Sequence, residues 1–191
     1  MLTIVAGLAA CSPRSTDVPE PGSYPAANSS DCLPAITLVD QHGRDVMLAS
    51  LKGRPMLIDF IYTTCAGPCP LMTARMAAVA KLLGAKLGRQ VTFVSITIDP
   101  EHDRPAELDK YARERGADAA GWLFLTGTPA QIEQVLELYH LERMRNPDGT
   151  VNHSAASFLL GPDGHQVRQY QPLEVKASTV VTDIERTLRR G

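Results

Sequence analysis

The pattern of apolar residues along this 191-residue chain predicts an α/β fold, a mixed central sheet flanked by helices. Three observations carry that expectation. Two short runs, 55–62 and 91–98, are apolar almost without interruption, as strands are when both faces of a sheet are covered. Each is followed by a segment whose apolar residues recur at helical spacing. Hairpin patterns stand before and after this strand–helix alternation, which adds antiparallel strands to a parallel core.

The elements follow in order. Segments 35–39 and 46–48 flank the turn Asp40-Gln-His-Gly-Arg-Asp45 and form an N-terminal β-hairpin. The strand at 55–62 leads to a helix through 71–83, stopped before Gly88. The strand at 91–98 runs into the turn-rich loop 99–105 and a helix over 106–115. A short strand at 122–126 precedes a helix at 129–140, for which Thr128 is the N-cap and Pro129 the first helical residue. Segments 157–160 and 166–170 form a late hairpin around Gly161-Pro-Asp-Gly164, and an amphipathic helix over 176–190 closes the chain. No internal repeat is visible.

With 44% hydrophobic and 21% charged residues, the chain can build a core without covalent staples. A formal net charge of −2 offers no electrostatic basis for binding nucleic acid. Four cysteines are too few for a disulfide scaffold. Residues 1–10 are apolar but too short to span a bilayer, and read as the hydrophobic part of an export signal. Leu8-Ala-Ala-Cys11 resembles the bacterial lipobox, which makes Cys11 the candidate for lipidation, although no Lys or Arg precedes the apolar run. The expected organisation is a signal and lipobox segment at 1–11, a disordered tether at 12–31 rich in Pro, Ser and Asn, and one domain at 32–191. Cys32, where tether meets domain, reads as a free, semi-buried thiol.

Chemistry concentrates where strand 55–62 ends, in Thr63-Thr-Cys65-Ala-Gly-Pro-Cys69-Pro70. The carboxyl ends of strands in such sheets open onto a shared crevice. A helix beginning there adds unpaired N–H groups and the positive end of its dipole, which lower a thiol's pKa. The two cysteines are four apart, not three as in thioredoxin-type redox motifs. One helical turn puts them on a common face, with Cα atoms roughly 6 Å apart and within disulfide range. Both sulfurs are expected to be close together, near the surface and prone to ionise, able to hold a soft metal or to close into a disulfide.

A third donor would come from the five histidines. His42 and His165 lie in hairpin turns, His140 ends a helix, and His102 sits in the loop after strand 91–98. His153 opens Val151-Asn-His-Ser-Ala-Ala-Ser-Phe158, a polar approach to a buried strand on the same sheet, and is the candidate ligand. Two thiolates and an imidazole favour Cu(I); Zn(II) could use the same three groups with a water.

The segment Phe60-Ile-Tyr-Thr-Thr-Cys65-Ala-Gly-Pro-Cys69-Pro70 resembles the signature of the Sco/SenC copper-binding proteins. Ser95-Ile-Thr-Ile-Asp-Pro-Glu-His-Asp-Arg-Pro105 resembles their acidic loop, and Leu125-Thr-Gly127 and His153-Ser154 follow in the family's order, over about residues 33–190. The resemblance implies a thioredoxin-like fold and a copper site, for Cu(I) or Cu(II), on Cys65, Cys69 and His153. It implies a metallochaperone rather than an enzyme, acting in assembly of the copper centre of cytochrome c oxidase. Its partners would be a copper-accepting oxidase subunit and a copper donor or thiol reductase. Its place would be the extracytoplasmic or periplasmic face of a bacterial envelope, lipid-anchored to the membrane. Ala66 stands where the family commonly has proline, Asn152 where an Asp often precedes the histidine, and Gly161 where the late turn has Asp; none of these removes a ligand.

The alternative is a thiol–disulfide oxidoreductase acting on partner cysteines through Cys65 and Cys69. Related reductases usually carry a proline three residues before the aromatic of the late strand. Here that position, counted from Phe158, is Ala155, and His153 lies two residues earlier. An imidazole near the thiols suits metal better than disulfide exchange. A peroxidase of the peroxiredoxin kind would need one activated cysteine and a separate Arg, which the paired cysteines and the histidine argue against.

Overall fold

The computed structural model describes residues 33–146, 151–153 and 155–190, with the backbone alone at 152 and 153. The strand that delivers the thiols, Met56–Ile61, is buried at all six positions, as its apolar run predicts. In chain order the elements are β1 (Thr37–Asp40), β2 (Asp45–Met47), β3 (Met56–Ile61), α1 (Pro68–Leu83), β4 (Thr92–Thr97), α2 (Pro105–Glu114), β5 (Trp122–Thr126), α3 (Pro129–Leu138), β6 (Arg143–Arg145), β7 (Val151–His153), β8 (Ser157–Leu160), β9 (Gln166–Tyr170) and α4 (Ala177–Leu188).

Seven strands form one sheet in the order β2-β1-β5-β4-β3-β8-β9. Its centre is parallel: Ile58 is opposite Val94 across β3–β4, and Val94 opposite Leu123 across β4–β5. The hairpins β1–β2 and β8–β9 add antiparallel strands at the two flanks. The result is the mixed, helix-flanked sheet expected from the sequence, with β3 in its interior.

Alternation along the strands separates two layers. Asp59, Ser95 and Phe124 share one face by register. That face meets α2, whose Tyr111 ring stands edge-on to Phe124 at 6.1 Å between centroids and whose hydroxyl bonds Thr73 of α1 at 2.9 Å. It also meets α4, where Asp183 accepts from the Tyr170 hydroxyl of β9 at 3.1 Å. The opposite face carries Phe60 and Phe158, which pack with Tyr139 just beyond α3 at 5.3 and 4.8 Å. Burial of these aromatics, each worth about 1.5–3 kcal/mol relative to exposure, ties α3 to the strands that flank the thiols.

Thr128 caps α3 as expected, in a reciprocal capping box with Gln131. The helix ends at Leu138, short of the expected 140, because His140 takes a left-handed φ of +52° and turns the chain away. Between 140 and 157 the sequence pattern predicts no regular element. There the chain forms a two-stranded antiparallel ribbon, β6–β7, in which Arg143 is opposite His153 and Arg145 opposite Val151.

Candidate metal centre

The segment between β3 and α1 is shaped by its prolines and glycine. Gly67 occupies the N-cap position without a capping side chain, and Pro68 begins the helix. Pro68 and Pro70 have no N–H, so in this first turn Cys69 supplies the donor between them. That N–H, with the N–H of Gly67, is directed to the sulfur of Cys65. The Cys69 thiol and the Tyr62 hydroxyl add two further hydrogen bonds to the same sulfur. A loop of this composition therefore wraps donors around one thiol.

The electrostatics of the pair are unequal. Burial alone would raise Cys65, but the Cys69 thiol, the two backbone N–H groups and the Tyr62 hydroxyl together hold it below the usual thiol range. Cys69 moves the other way. Burial pushes its thiol well up, and its bond to Cys65 and the nearby negative charge of Asp59 push in the same direction. The expectation of two surface thiols, both prone to ionise, is therefore corrected. Both are buried, at 5% and 0% exposure, and Cys65 alone is favoured as thiolate. The Gly-Pro-flanked loop, read as exposed, folds its sulfurs inward beneath α1, where desolvation outweighs the helix dipole at Cys69.

Three further residues shape this site without standing in a metal-ligand pattern of the sequence. Asp59 interrupts the apolar run of β3 and is fully buried. Its Oδ1 accepts from the Ser95 hydroxyl at 2.6 Å, and Ser95 in turn accepts from the Trp122 indole at 3.0 Å. Its Oδ2 has no hydrogen-bond partner among the described residues, and burial raises this carboxyl to about 7. A charged residue inside an otherwise apolar strand is the signal that could have found it. Asp103, at the far end of the acidic loop, accepts from the Thr63 N–H at 3.0 Å, from the Thr63 hydroxyl at 2.5 Å and from the Thr97 hydroxyl at 2.5 Å. It anchors the cysteine loop two residues before Cys65. Tyr62, last in the predicted strand, bonds Cys65 through its hydroxyl and accepts the N–H of Val151 on the same oxygen.

Of the predicted site residues, the structure brings Cys65 and Cys69 together, their sulfurs hydrogen-bonded to each other and neither in a disulfide. His153 is placed by its backbone as the last residue of β7; its side chain lies outside the described residues, as do Cys11, Cys32 and the segment 12–31. Among the described residues no three His, Cys, Asp or Glu side chains converge on one point. His102 is not with the thiols: its Nδ1 bonds Asp99 at 3.0 Å, and its side chain is 61% exposed. The described donor set is thus two soft sulfurs, one tending to ionise. It fits a soft monovalent ion better than a hard divalent one.

Comparison with known proteins bears on this pair. The SCO1/SenC family profile matches residues 26–189. The chain is 35% identical over 153 residues to the SCO1 protein homolog of Bacillus subtilis, covering 78% of this chain and 79% of that one. It spans 49–65% of the length of the next curated relatives it matches. Among solved structures, ScoI of Bradyrhizobium japonicum with copper bound aligns at a TM-score of 0.70 and 30% identity, over 80% of this chain and 96% of that one. BsSco, described with a disulfide switch and as a member of the Sco family of cytochrome c oxidase assembly proteins, aligns at 0.73 and 31%, over 91% and 99%.

Proposed function

The chain belongs to the SCO1/SenC family, and on that premise we propose that it is a copper metallochaperone. It holds copper on Cys65, Cys69 and His153 and hands it on during assembly of the copper centre of cytochrome c oxidase. The observation that carries the reading is the paired, buried dithiol at the carboxyl end of β3, with Cys65 already favoured as thiolate. Copper is cargo here. Two thiolates suffice for Cu(I), and an imidazole stabilises Cu(II). Burial keeps water from the sulfurs, and the donors around Cys65 offset part of the charge left when the metal departs. The copper-bound state of ScoI supports the same assignment. The leader-like residues 1–10 and Cys11 support an anchor that holds the domain at the outer face of a membrane, where an oxidase subunit can receive copper.

A second reading has its own observation. A pair with one low and one high thiol pKa is also what disulfide exchange uses: Cys65 thiolate would attack a partner disulfide, and Cys69 would then resolve the mixed disulfide. The disulfide switch described for BsSco is in keeping with it. The histidine separates the two, because exchange needs no imidazole ligand. Oxidase activity in cells at limiting copper is the test. As a chaperone, His153→Ala fails nearly as badly as Cys69→Ser and recovers in part with added copper. Full function of His153→Ala at limiting copper, with loss in Cys65→Ser, would give the reductase reading instead.

A further inference from the structure

Two sets of contacts join the ribbon β6–β7 to the part of the molecule that holds the thiols. The first runs through Tyr62, which is 7% exposed. Its hydroxyl donates to the Cys65 sulfur and accepts the backbone N–H of Val151, two residues before His153. The second runs through the arginines of β6. Arg143, opposite His153 in register, donates from Nη1 to the Ile98 carbonyl at 2.9 Å and to Glu101 at 3.1 Å, and from Nε to Glu133 of α3 at 2.5 Å. Arg145, opposite Val151, pairs with Asp99 and reaches Glu101 at 3.4 Å. Asp99 and Glu101 belong to the loop that ends at Asp103, the residue bonded to Thr63 before Cys65. Hence one loop grips the cysteine segment at one end and the ribbon at the other.

The ribbon also buries Val151 in the core, at 3% exposure. It is a separate two-stranded sheet, with three residues to each strand, and such a hairpin has marginal stability alone. Arg143 is 14% exposed at its side chain, so its three-way bonding is screened less than a surface ion pair. We propose that Tyr62, Arg143 and Arg145 are positioning residues that dock the β6–β7 ribbon, and with it the backbone of His153, onto the loop that carries the thiols. This deepens the metallochaperone reading and rests on His153 being a ligand. The arginines act through the ribbon and touch no metal. Tyr62 contacts Cys65 by hydrogen bond and fixes the distance between the two halves of the site.

The test uses the full chain, reduced and metal-free, then titrated with Cu(I) or Cu(II) against competing chelators. Tyr62→Phe keeps the ring and removes only the hydroxyl. Arg143→Gln with Arg145→Gln removes the clasp, and Arg145→Lys restores a cation opposite Asp99. Amide hydrogen exchange across 151–156 in the metal-free protein should rise about tenfold in Tyr62→Phe and further in the double variant, with the amides of β3 unchanged. Cu(II) affinity should fall about 10–100-fold, the range for groups that orient a ligand. In the arginine double variant, which leaves every donor to Cys65 in place, Cu(I) affinity should stay within about twofold, since two thiolates suffice. Arg145→Lys should recover most of the loss. Ribbon exchange equal to wild type in both Tyr62→Phe and the double variant would overturn the docking and leave the ligand reading standing. Cu(II) affinity in His153→Ala equal to wild type would overturn the ligand reading and the positioning role with it.

Discussion

Asp59 sets a cost on the thiol site that can be read in stability. Its carboxyl ionises at about 7 in the folded chain against an ordinary 3.8, because burial disfavours its charge. Well below pH 3.8 both states keep the proton and nothing is lost. Between about pH 4 and 7 the unfolded chain releases a proton that the folded chain retains, so stability falls as pH rises. Above 7 the full cost is present, about 4 kcal/mol at about 1.4 kcal/mol per pKa unit. Asp59→Asn keeps an acceptor for Ser95 and should stabilise the protein at pH 8 by a few kcal/mol, with far less gain at pH 4. Chemical denaturation of both proteins at the two pH values checks this; equal stability at pH 8 would remove the buried charge from the account. The two thiols make a second contrast at this scale. Cys65 should be alkylated about tenfold faster or more than Cys69 at neutral pH, since the thiolate is the nucleophile. Peptide mapping by mass spectrometry reads the order, and faster labelling of Cys69 would reverse the assigned roles.

At the scale of elements, the parallel core depends on a close backbone crossing outside the site. A Cβ on Gly121 would lie 2.2 Å from the Cα of Gly88, and both glycines have positive φ. The crossing sets where β4 and β5 begin, for Gly121 O accepts the N–H of Phe93 at 2.8 Å. Gly121→Ala should lower the unfolding midpoint, with a cost of about 2 kcal/mol or more from overpacking and strain; an unchanged thermal midpoint would contradict this. The strands and helices that carry strong periodicity were legible in the sequence: β3, β4, α1 and both hairpins. The ribbon β6–β7 was not. Its strands have three residues each, too few for alternation to register, and charged side chains on β6 bond outward to the acidic loop instead of facing a core. The site was legible to the same degree. Cys65 and Cys69 stand out by residue type and spacing, whereas the burial of both sulfurs depends on how the loop folds under α1. Nor could spacing reveal Tyr62, whose hydroxyl links two segments nearly 90 residues apart, at Cys65 and Val151.

For the molecule as a whole, the sheet serves as a rigid stage and the chemistry sits on connections at one end. The cysteine loop follows β3, the acidic loop follows β4, and the ribbon enters β8, which lies beside β3. Three connections thus converge beside the carboxyl end of two adjacent parallel strands, where such folds offer their crevice. No helix among the described residues is long and apolar enough to cross a membrane. The proposed copper site joins the dithiol to His153. It is tested most directly by anaerobic copper titration of the reduced full chain beside Cys65→Ser, Cys69→Ser and His153→Ala, with bound Cu(II) read by absorption and electron paramagnetic resonance. One tightly held copper per chain is expected, lost in either cysteine variant, with His153→Ala keeping weaker Cu(I) binding but no stable Cu(II) signal. An unaltered Cu(II) spectrum in His153→Ala, or tight copper binding in Cys69→Ser, would contradict it.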